Sequence, residues 1–550
     1  MGNKRFKDPI YGYVEVDDDI VQQVLDTAAF QRLRDIIQTS YSPLYSSALH
    51  NRFTHSIGVY HLGKLAVNAF QKSCVDVPST AFPELDEYFG VFLLACLLHD
   101  VGHAPFSHTG EAFYLKNAKY DNLHEEIVAL TADAALEEEI RKNSYKAAPH
   151  ELMSVIVSLR MFGGVISAER RSFFARCITG YKYTEDMNTK KELMNCLIEL
   201  LNSKIIDVDK LDYLIRDSYM AGFDTVKIDY IRLLESIRVV HTESGYEICY
   251  YKSAVSVIEN VVYAHDAERK WIQNHPSVLY EAYLIENIFR EIIYEFMGSD
   301  YLDYVYLTEE GQAIKNMGTV RLMGDADVIF LMKNIPQNLW VSEYFERRKR
   351  KHPIWKTEAE FQAIFRENEQ AAEIIEDEFE DLSKALKKLG YPFVINEQAL
   401  AACESDAQQL QNLIQKEKDT LQKEMDKETF RKRKHQIKFV KILKSFAEEE
   451  SIDFDFNIIL AKQFNSGFGK QEFSKIKMVF PELSVPCKFG EVSNALTSLE
   501  SKGEKFFYLF YKRKNEKQAV SLTTLVEELL TLAYAIQAED KIKEKKRHIK

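Results

Sequence analysis

Apolar side chains recur every three or four positions through residues 20–37, 56–70, 91–98, 126–136 and 192–214. That period lines one face of an α-helix with core-forming groups, so the first part of the chain is predicted to be a long helical domain. Strand-like patterns interrupt it at 246–257 and 304–307. From about residue 355 the pattern changes. Stretches 358–389 and 408–450 are rich in Glu and Lys and predict charged amphipathic helices, a solvated hairpin or short coiled coil, with a turn at Gly390-Tyr391-Pro392-Phe393. Beyond 450, aromatic and β-branched residues alternate with polar ones at 454–460 and 506–511 and predict strands, punctuated by Gly467, Gly469, Pro481, Pro486 and Gly490. A last helix is expected at 522–538, followed by a solvated, disordered basic terminus, KIKEKKRHIK. The expected organisation is mainly α: a helical domain over 1–355, a charged helical extension over 356–450, and a small α+β C-terminal module with a basic tail over 451–550.

Composition narrows the class. The 550 residues exceed one compact domain, at a usual size of about 150 residues each. Hydrophobic residues at 46% and charged residues at 28% suit a globular chain and argue against global disorder. A net charge of −13 argues against a general polyanion binder, so nucleic acid is not an expected partner. It leaves room for a local basic pocket. The seven cysteines are scattered, odd in number and contain no C-x-x-C pair, the usage of reduced thiols in a cytoplasm. The start, MGNKRFKDPIYGYVEV, has no apolar signal-like run, and Phe6 stands where a myristoylation signal needs Ser or Thr. The apolar run 91–98 falls far short of the roughly 20 residues of a membrane span, so no membrane partner is expected.

The histidines carry the chemistry. Of fourteen, eight lie between positions 50 and 150: His50, His55, His61, His99, His103, His108, His124 and His150. One histidine is usually a core or surface residue; such a concentration asks for another explanation. In LLACLLHDVGHAPFSH the apolar run predicts a buried helix ending near His99-Asp100, and Val101-Gly102 a turn that lets both side chains face one ion. Imidazole with carboxylate suits a divalent ion such as Mn²⁺, Fe²⁺, Mg²⁺ or Zn²⁺. Further ligands are offered by His55, at the start of an earlier helix, and by Asp209 in IIDVDKLDYLIRDSYMAG. There Asp209, Tyr213 and Asp217 recur four residues apart along one helical face, among apolar neighbours that leave the carboxylates partly buried and in need of a partner. Lys210 and Arg216 lie nearby for phosphate oxygens.

Five ordered segments, NKRFKDPIYGYVEV, DTAAFQRLRDIIQ, HNRFTHSIGV, HDVGHAPFSH and DVDKLDYLIRD, resemble the dNTP triphosphohydrolase branch of the HD superfamily. The likeness is strong over about residues 8–222 and weaker towards 355. It implies the HD-superfamily helical fold, and His55, His99, Asp100 and Asp209 as metal ligands. It also implies phosphate contacts from Arg52 and His103, a catalytic His108 oriented by Glu111, and a further catalytic pair, His124-Glu125. Gln38, Tyr213 and Asp217 match positions contacting the deoxyribose. Thr39 stands where a relative has an apolar residue near the sugar, which leaves strict deoxy selection open. Asp26, Gln31 and Arg34 resemble residues that hold an activating nucleotide at a subunit interface; the alternative is a solvated surface where Arg32 and Arg34 pair with Asp26 and Asp35.

The expected reaction is metal-dependent hydrolysis of a deoxynucleoside triphosphate to deoxynucleoside and inorganic triphosphate, by a nucleotide-activated homo-oligomer. The residues alone reach metal-assisted phosphoester hydrolysis. The alternatives are another HD phosphohydrolase activity, on a cyclic nucleotide, a nucleoside monophosphate or an alarmone, and a nucleotide-sensing scaffold.

Overall fold

The computed structural model describes residues 2–39, 44–74, 82–223, 227–299, 301–366, 369–416, 422–462, 470–495, 505–515 and 518–548. Two compact units emerge, both discontinuous in sequence. The first comprises Met1–Gln273, Leu284–Val341 and Phe464–Glu500; the second comprises Asn274–Tyr283, Ser342–Gln463 and Ser501–Lys550. These lines differ from a division at 355 and 450. The strands of the last hundred residues find hydrogen-bonding partners far away in the chain, which a local pattern does not reveal.

The first unit is helical, as its periodicity predicts. Arg52–Ser73 begins where the Asn51 side chain accepts from Thr54 N at 3.2 Å, and Phe82–Leu98 runs directly into His99. Pro149–Met161, Arg171–Thr179, Thr189–Leu201 and Val208–Ala221 complete the frame. Its core includes Tyr60, Phe70, Phe92, Phe173, Phe174 and Leu197, all 1% exposed or less. A small sheet in the order Cys487–Lys488, Lys477–Val479, Gly245–Tyr251, Ile237–Thr242 draws residues 470–495 into this unit.

Several expectations change. The period over 20–37 breaks into short turns, Asp18–Ile20, Val21–Leu25, Ala28–Gln31 and Arg32–Asp35, because Thr27 caps a new start by accepting from Phe30 N. The β-like 246–257 is strand only to Tyr251, with a helix from Val255, and Tyr304–Leu307 is a 3₁₀ turn. Gly467 and Gly469 lie outside the described residues.

In the second unit Lys505–Lys512 and Asp453–Lys462 pair antiparallel, flanked by His352–Pro353 and Val394–Ile395. The charged helices are not merely solvated. Glu369–Lys388 and Gln422–Glu449 bury Phe379, Leu382, Leu386, Phe439, Leu443 and Phe446. Trp355, 1% exposed, packs on Phe361 and donates from Nε1 to Phe507 O at 3.0 Å. The last helix, Thr523–His548, continues through most of the basic segment expected to be disordered. No helix among the described residues is long and apolar enough to cross a membrane. All seven cysteines are free thiols, six of them buried.

Candidate metal and acid–base site

Four side chains from three helices converge in the first unit. His55 projects from the first turn of Arg52–Ser73; His99 and Asp100 follow the end of Phe82–Leu98; Asp209 lies in the first turn of Val208–Ala221. Asp207 caps that last helix, accepting from Lys210 N at 2.7 Å. His55 Nε2 lies 3.2 Å from His99 Nε2, 3.0 Å from Asp209 Oδ1 and 3.5 Å from Asp100 Oδ2. His99 Nε2 is 3.4 Å from Asp100 Oδ1 and 3.5 Å from Asp209 Oδ1. The chain reverses here at Gly102, where a Cβ would come within 2.3 Å of Ser154 N, so only glycine allows the close approach.

The outer nitrogens fix the rings. His99 Nδ1 lies 2.9 Å from the carbonyl of Cys96, which can only accept, so His99 carries its proton there and turns a bare Nε2 lone pair inward. His55 Nδ1 lies 2.7 Å from Asp212 Oδ2. Asp212 also accepts from Tyr11 Oη at 2.8 Å and from two nitrogens of Arg216, which reaches Asp8 at 2.9 Å. A partner on the outer nitrogen is the usual support of a metal-bound imidazole. Burial opposes protonation of His55, yet the bracketing Asp209 and Asp212 outweigh it and push its pKa up to about 10. Burial likewise opposes ionisation of Asp100, but Arg52, with Nη1 at 2.6 Å, and the neighbouring histidines hold its carboxyl well below the usual range. The donor atoms of His55, His99 and Asp100 lie within 4.8 Å of one another, with Asp209 Oδ1 3.0 and 3.5 Å from the two imidazole nitrogens, a donor set that fits a divalent cation accepting nitrogen and oxygen.

A second cluster adjoins it. His103, His108, Glu111 and His150 offer donor atoms within 4.8 Å of one another. Glu111 bridges the exposed His108, whose Nδ1 is 3.3 Å from Oε1, and the half-buried His150, whose Nδ1 bonds Oε2. The His103 and His150 rings stack at 4.1 Å. Burial works against charge on both partners of the Glu111–His150 pair. Their attraction prevails, holding Glu111 well below the usual carboxylate range and raising His150 to about 9. His103 is fully buried and held well below its ordinary pKa by burial and by Arg52. Its Nε2 is 3.1 Å from Asp100 Oδ1, but neither ring nitrogen has a well-aligned hydrogen bond among the described residues. A cavity lined partly by His99, His150, Asp207, Asp209 and Lys210 joins the two clusters. There burial pushes Glu151 up to about 7.

The other expected residues are placed as follows. Lys210, half-buried on the cavity wall, holds Asp207 at 2.8 Å, and Tyr213 follows it on the same helix. Asp217 is buried against His50, with Oδ1 2.7 Å from Nε2, and the Gln38 N–H donates to the His50 carbonyl at 3.0 Å. Gln38 and Thr39 are buried, with Gln38 Oε1, Thr39 Oγ1 and His50 Nδ1 unsatisfied among the described residues. Asp26 meets Lys4 at 3.3 Å; Arg34 donates to Gln31 Oε1 at 2.7 Å and covers the Phe53 ring at 3.6 Å.

Three placements depart from expectation. The His-Glu step at the cluster is His150-Glu151, not His124-Glu125: His124 faces Tyr181 Oη at 3.3 Å and stacks on Tyr120, while Glu125 is exposed. Arg216 is committed to Asp212 and Asp8 and is only 1% exposed, so it does not offer itself to a phosphate. Arg32 does not pair in solvent; it is buried and donates to the carbonyls of Met323, Val101 and His103. Sequence reasoning also passed over Asp212, although its i,i+4 spacing to Arg216 among apolar residues was a signal of a buried pair.

Residues 52–189 match the family model of the HD domain. An uncharacterized protein of Mycoplasma genitalium is 28% identical over 262 residues, 46% of this chain and 52% of that one. The human deoxynucleoside triphosphate triphosphohydrolase SAMHD1 is 28% identical over 320 residues, 56% of this chain and 46% of that one. The chain spans about half the length of the curated relatives it matches. In fold, a phosphohydrolase from Bacteroides thetaiotaomicron superposes with a TM-score of 0.52 at 15% identity, covering 93% of this chain and all of that one.

Proposed function

We propose that the protein, whose residues 52–189 match the HD domain, is a cytoplasmic, metal-dependent triphosphohydrolase of deoxynucleoside triphosphates, assembled as a homo-oligomer and stimulated by a nucleotide. The observation that carries the metal-dependent reading is the pair of inward Nε2 atoms of His55 and His99, 3.2 Å apart and bracketed by Asp100 and Asp209. The choice of substrate is supported by relatives named as deoxynucleoside triphosphate triphosphohydrolases. A divalent cation on these four residues would supply a water of lowered pKa and polarise a phosphoryl oxygen.

The chain's own groups do the rest. Arg52, 2.6 Å from Asp100, orients that ligand and carries a fixed positive charge behind the metal position, while Lys210, on the cavity wall, meets phosphate oxygens. Water adds to the α-phosphorus, the bond to O5′ breaks, and His108 delivers a proton to the departing 5′-oxygen, giving deoxynucleoside and triphosphate. Glu111 steadies His108, and His150 steadies Glu111. Gln38, Tyr213 and Asp217 receive the sugar. Asp26, Gln31 and Arg34 form the activating-nucleotide contact.

Incubation with Mn²⁺ and each dNTP, alone and with GTP, followed by anion-exchange chromatography, tests the reading. Deoxynucleoside plus triphosphate, abolished in Asp100→Ala, is expected. Monophosphate products would move the assignment to another HD activity, and no turnover in any mixture would favour a sensor.

A further inference from the structure

The loop that carries His108 is held in an unfavourable backbone conformation. Phe106 has φ 57° and Ser107 has φ 52°, ψ −128°, and neither is glycine. Such conformations are unfavourable for a residue with a Cβ and persist only where the surroundings impose them. Ser107 Oγ donates to Ile37 O at 2.6 Å, and Arg52 Nε donates to Ser107 Oγ at 3.1 Å. A further restraint comes from far along the chain. Asp325, 4% exposed, accepts from Phe106 N at 2.7 Å on Oδ1 and from Ile37 N at 3.0 Å on Oδ2. Each oxygen thus holds one edge of the site: the stretch leading into Gln38, and the stretch leading into His108. Arg32 reinforces the arrangement, bonding Met323 O at 2.8 Å on one side and Val101 O and His103 O at 2.9 and 2.8 Å on the other.

We propose that Asp325 is a positioning residue for the proton-donating step, its carboxylate fixing the Phe106–Ser107 turn so that His108 is presented to the leaving oxygen. It touches neither substrate nor metal and acts only through the loop. Replacing it by Asn keeps the shape and one acceptor but sets an NH₂ group against a backbone N–H, so one of the two restraints is lost. The inference rests on the proposed hydrolytic role of His108.

The test is a cycle of Asp325→Asn, His108→Ala and the double variant, with kcat measured on dNTPs, metal content measured by elemental analysis, and amide exchange followed by mass spectrometry. Asp325→Asn is expected to lower kcat at least tenfold with full metal content and faster exchange confined to 103–109. In the His108→Ala background it should cost less than twofold more, because the group it positions is already gone. A purely structural Asp325 would lower both backgrounds equally or raise exchange throughout the unit, and either result overturns the proposal, as does an unchanged kcat. If Asn prevents folding, Asp325→Glu, whose extra methylene moves both acceptors out of register with Phe106 N and Ile37 N while keeping the charge, serves in the same cycle with the same criteria. If wild-type protein turns over no dNTP, the hydrolytic reading fails by itself, and local exchange at 103–109 decides alone whether Asp325 holds the loop.

Discussion

The Glu111–His150 pair makes a stability prediction with a definite sign. His150 has an ordinary pKa of 6.5, raised to about 9 in the folded protein: burial lowers it, but contact with Glu111 more than compensates. A histidine whose folded pKa lies above its unfolded value binds protons more tightly when folded. Its stabilising contribution is therefore complete below pH 6.5 and is lost as pH rises through 9. At about 1.4 kcal/mol per pKa unit, the window corresponds to roughly 3 kcal/mol. The side chains are only 15% and 16% exposed, so solvent screening does little to reduce this. His150→Gln removes the titrating group while leaving an amide to meet Glu111. Urea unfolding of wild type and variant, followed by circular dichroism at pH 6, 7.5 and 9.5, should show the stability difference shrinking by about 3 kcal/mol across that range. A difference constant within about 1 kcal/mol would refute the pairing, because an imidazole held protonated by Glu111 must lose its contribution when it deprotonates. The catalytic counterpart is a lower kcat in His150→Gln, since Glu111 then steadies His108 without a charged partner of its own.

Other outcomes follow from particular contacts. Gly58→Ala would place a Cβ 1.9 Å from Asp212 Oδ1 and 2.5 Å from Arg216 Nη2, displacing the support of His55; metal affinity, read by competition with a fluorescent chelator, should fall about 10–100-fold. Asp212→Asn should weaken the same affinity in the same direction and leave Arg216 underpaired, with a lower melting temperature. Arg34→Ala, which removes both the Gln31 bond and the stacking on Phe53, should reduce the GTP-stimulated rate in a dose–response assay. Trp355→Ala removes a fully buried indole and its bond to Phe507 O and should destabilise the second unit by about 3–5 kcal/mol, measured by chemical unfolding.

What was legible in the sequence depended on how far apart the cooperating residues lie. The helical character of the first unit is local information, written in a period of three or four residues. The ligand candidates were legible too, because each stands in a short motif whose neighbours disclose its place: an apolar helix running into His99-Asp100, and an acidic face between apolar residues at Asp209. The role of His150 is not legible, because the dipeptide His-Glu occurs twice and nothing local distinguishes the copies. Only packing does so, by setting the start of Pro149–Met161 beside Glu111 and turning His124 towards Tyr181. Asp325 left no trace at all. An aspartate near a helix start reads as an ordinary first-turn acid, and its effect on Phe106 spans 219 residues. The discontinuous units illustrate the same limit, since a strand at 453–462 announces itself by alternation but not the partner at 505–512 that completes its hydrogen bonds. The chemistry that binds a cation can therefore be read from motifs, whereas the restraints that hold a loop in strained geometry arise from long-range contacts and must be seen in three dimensions. It follows that substitutions at positions such as Asp325, Asp212 and Gly58 should impair this site while leaving every motif intact.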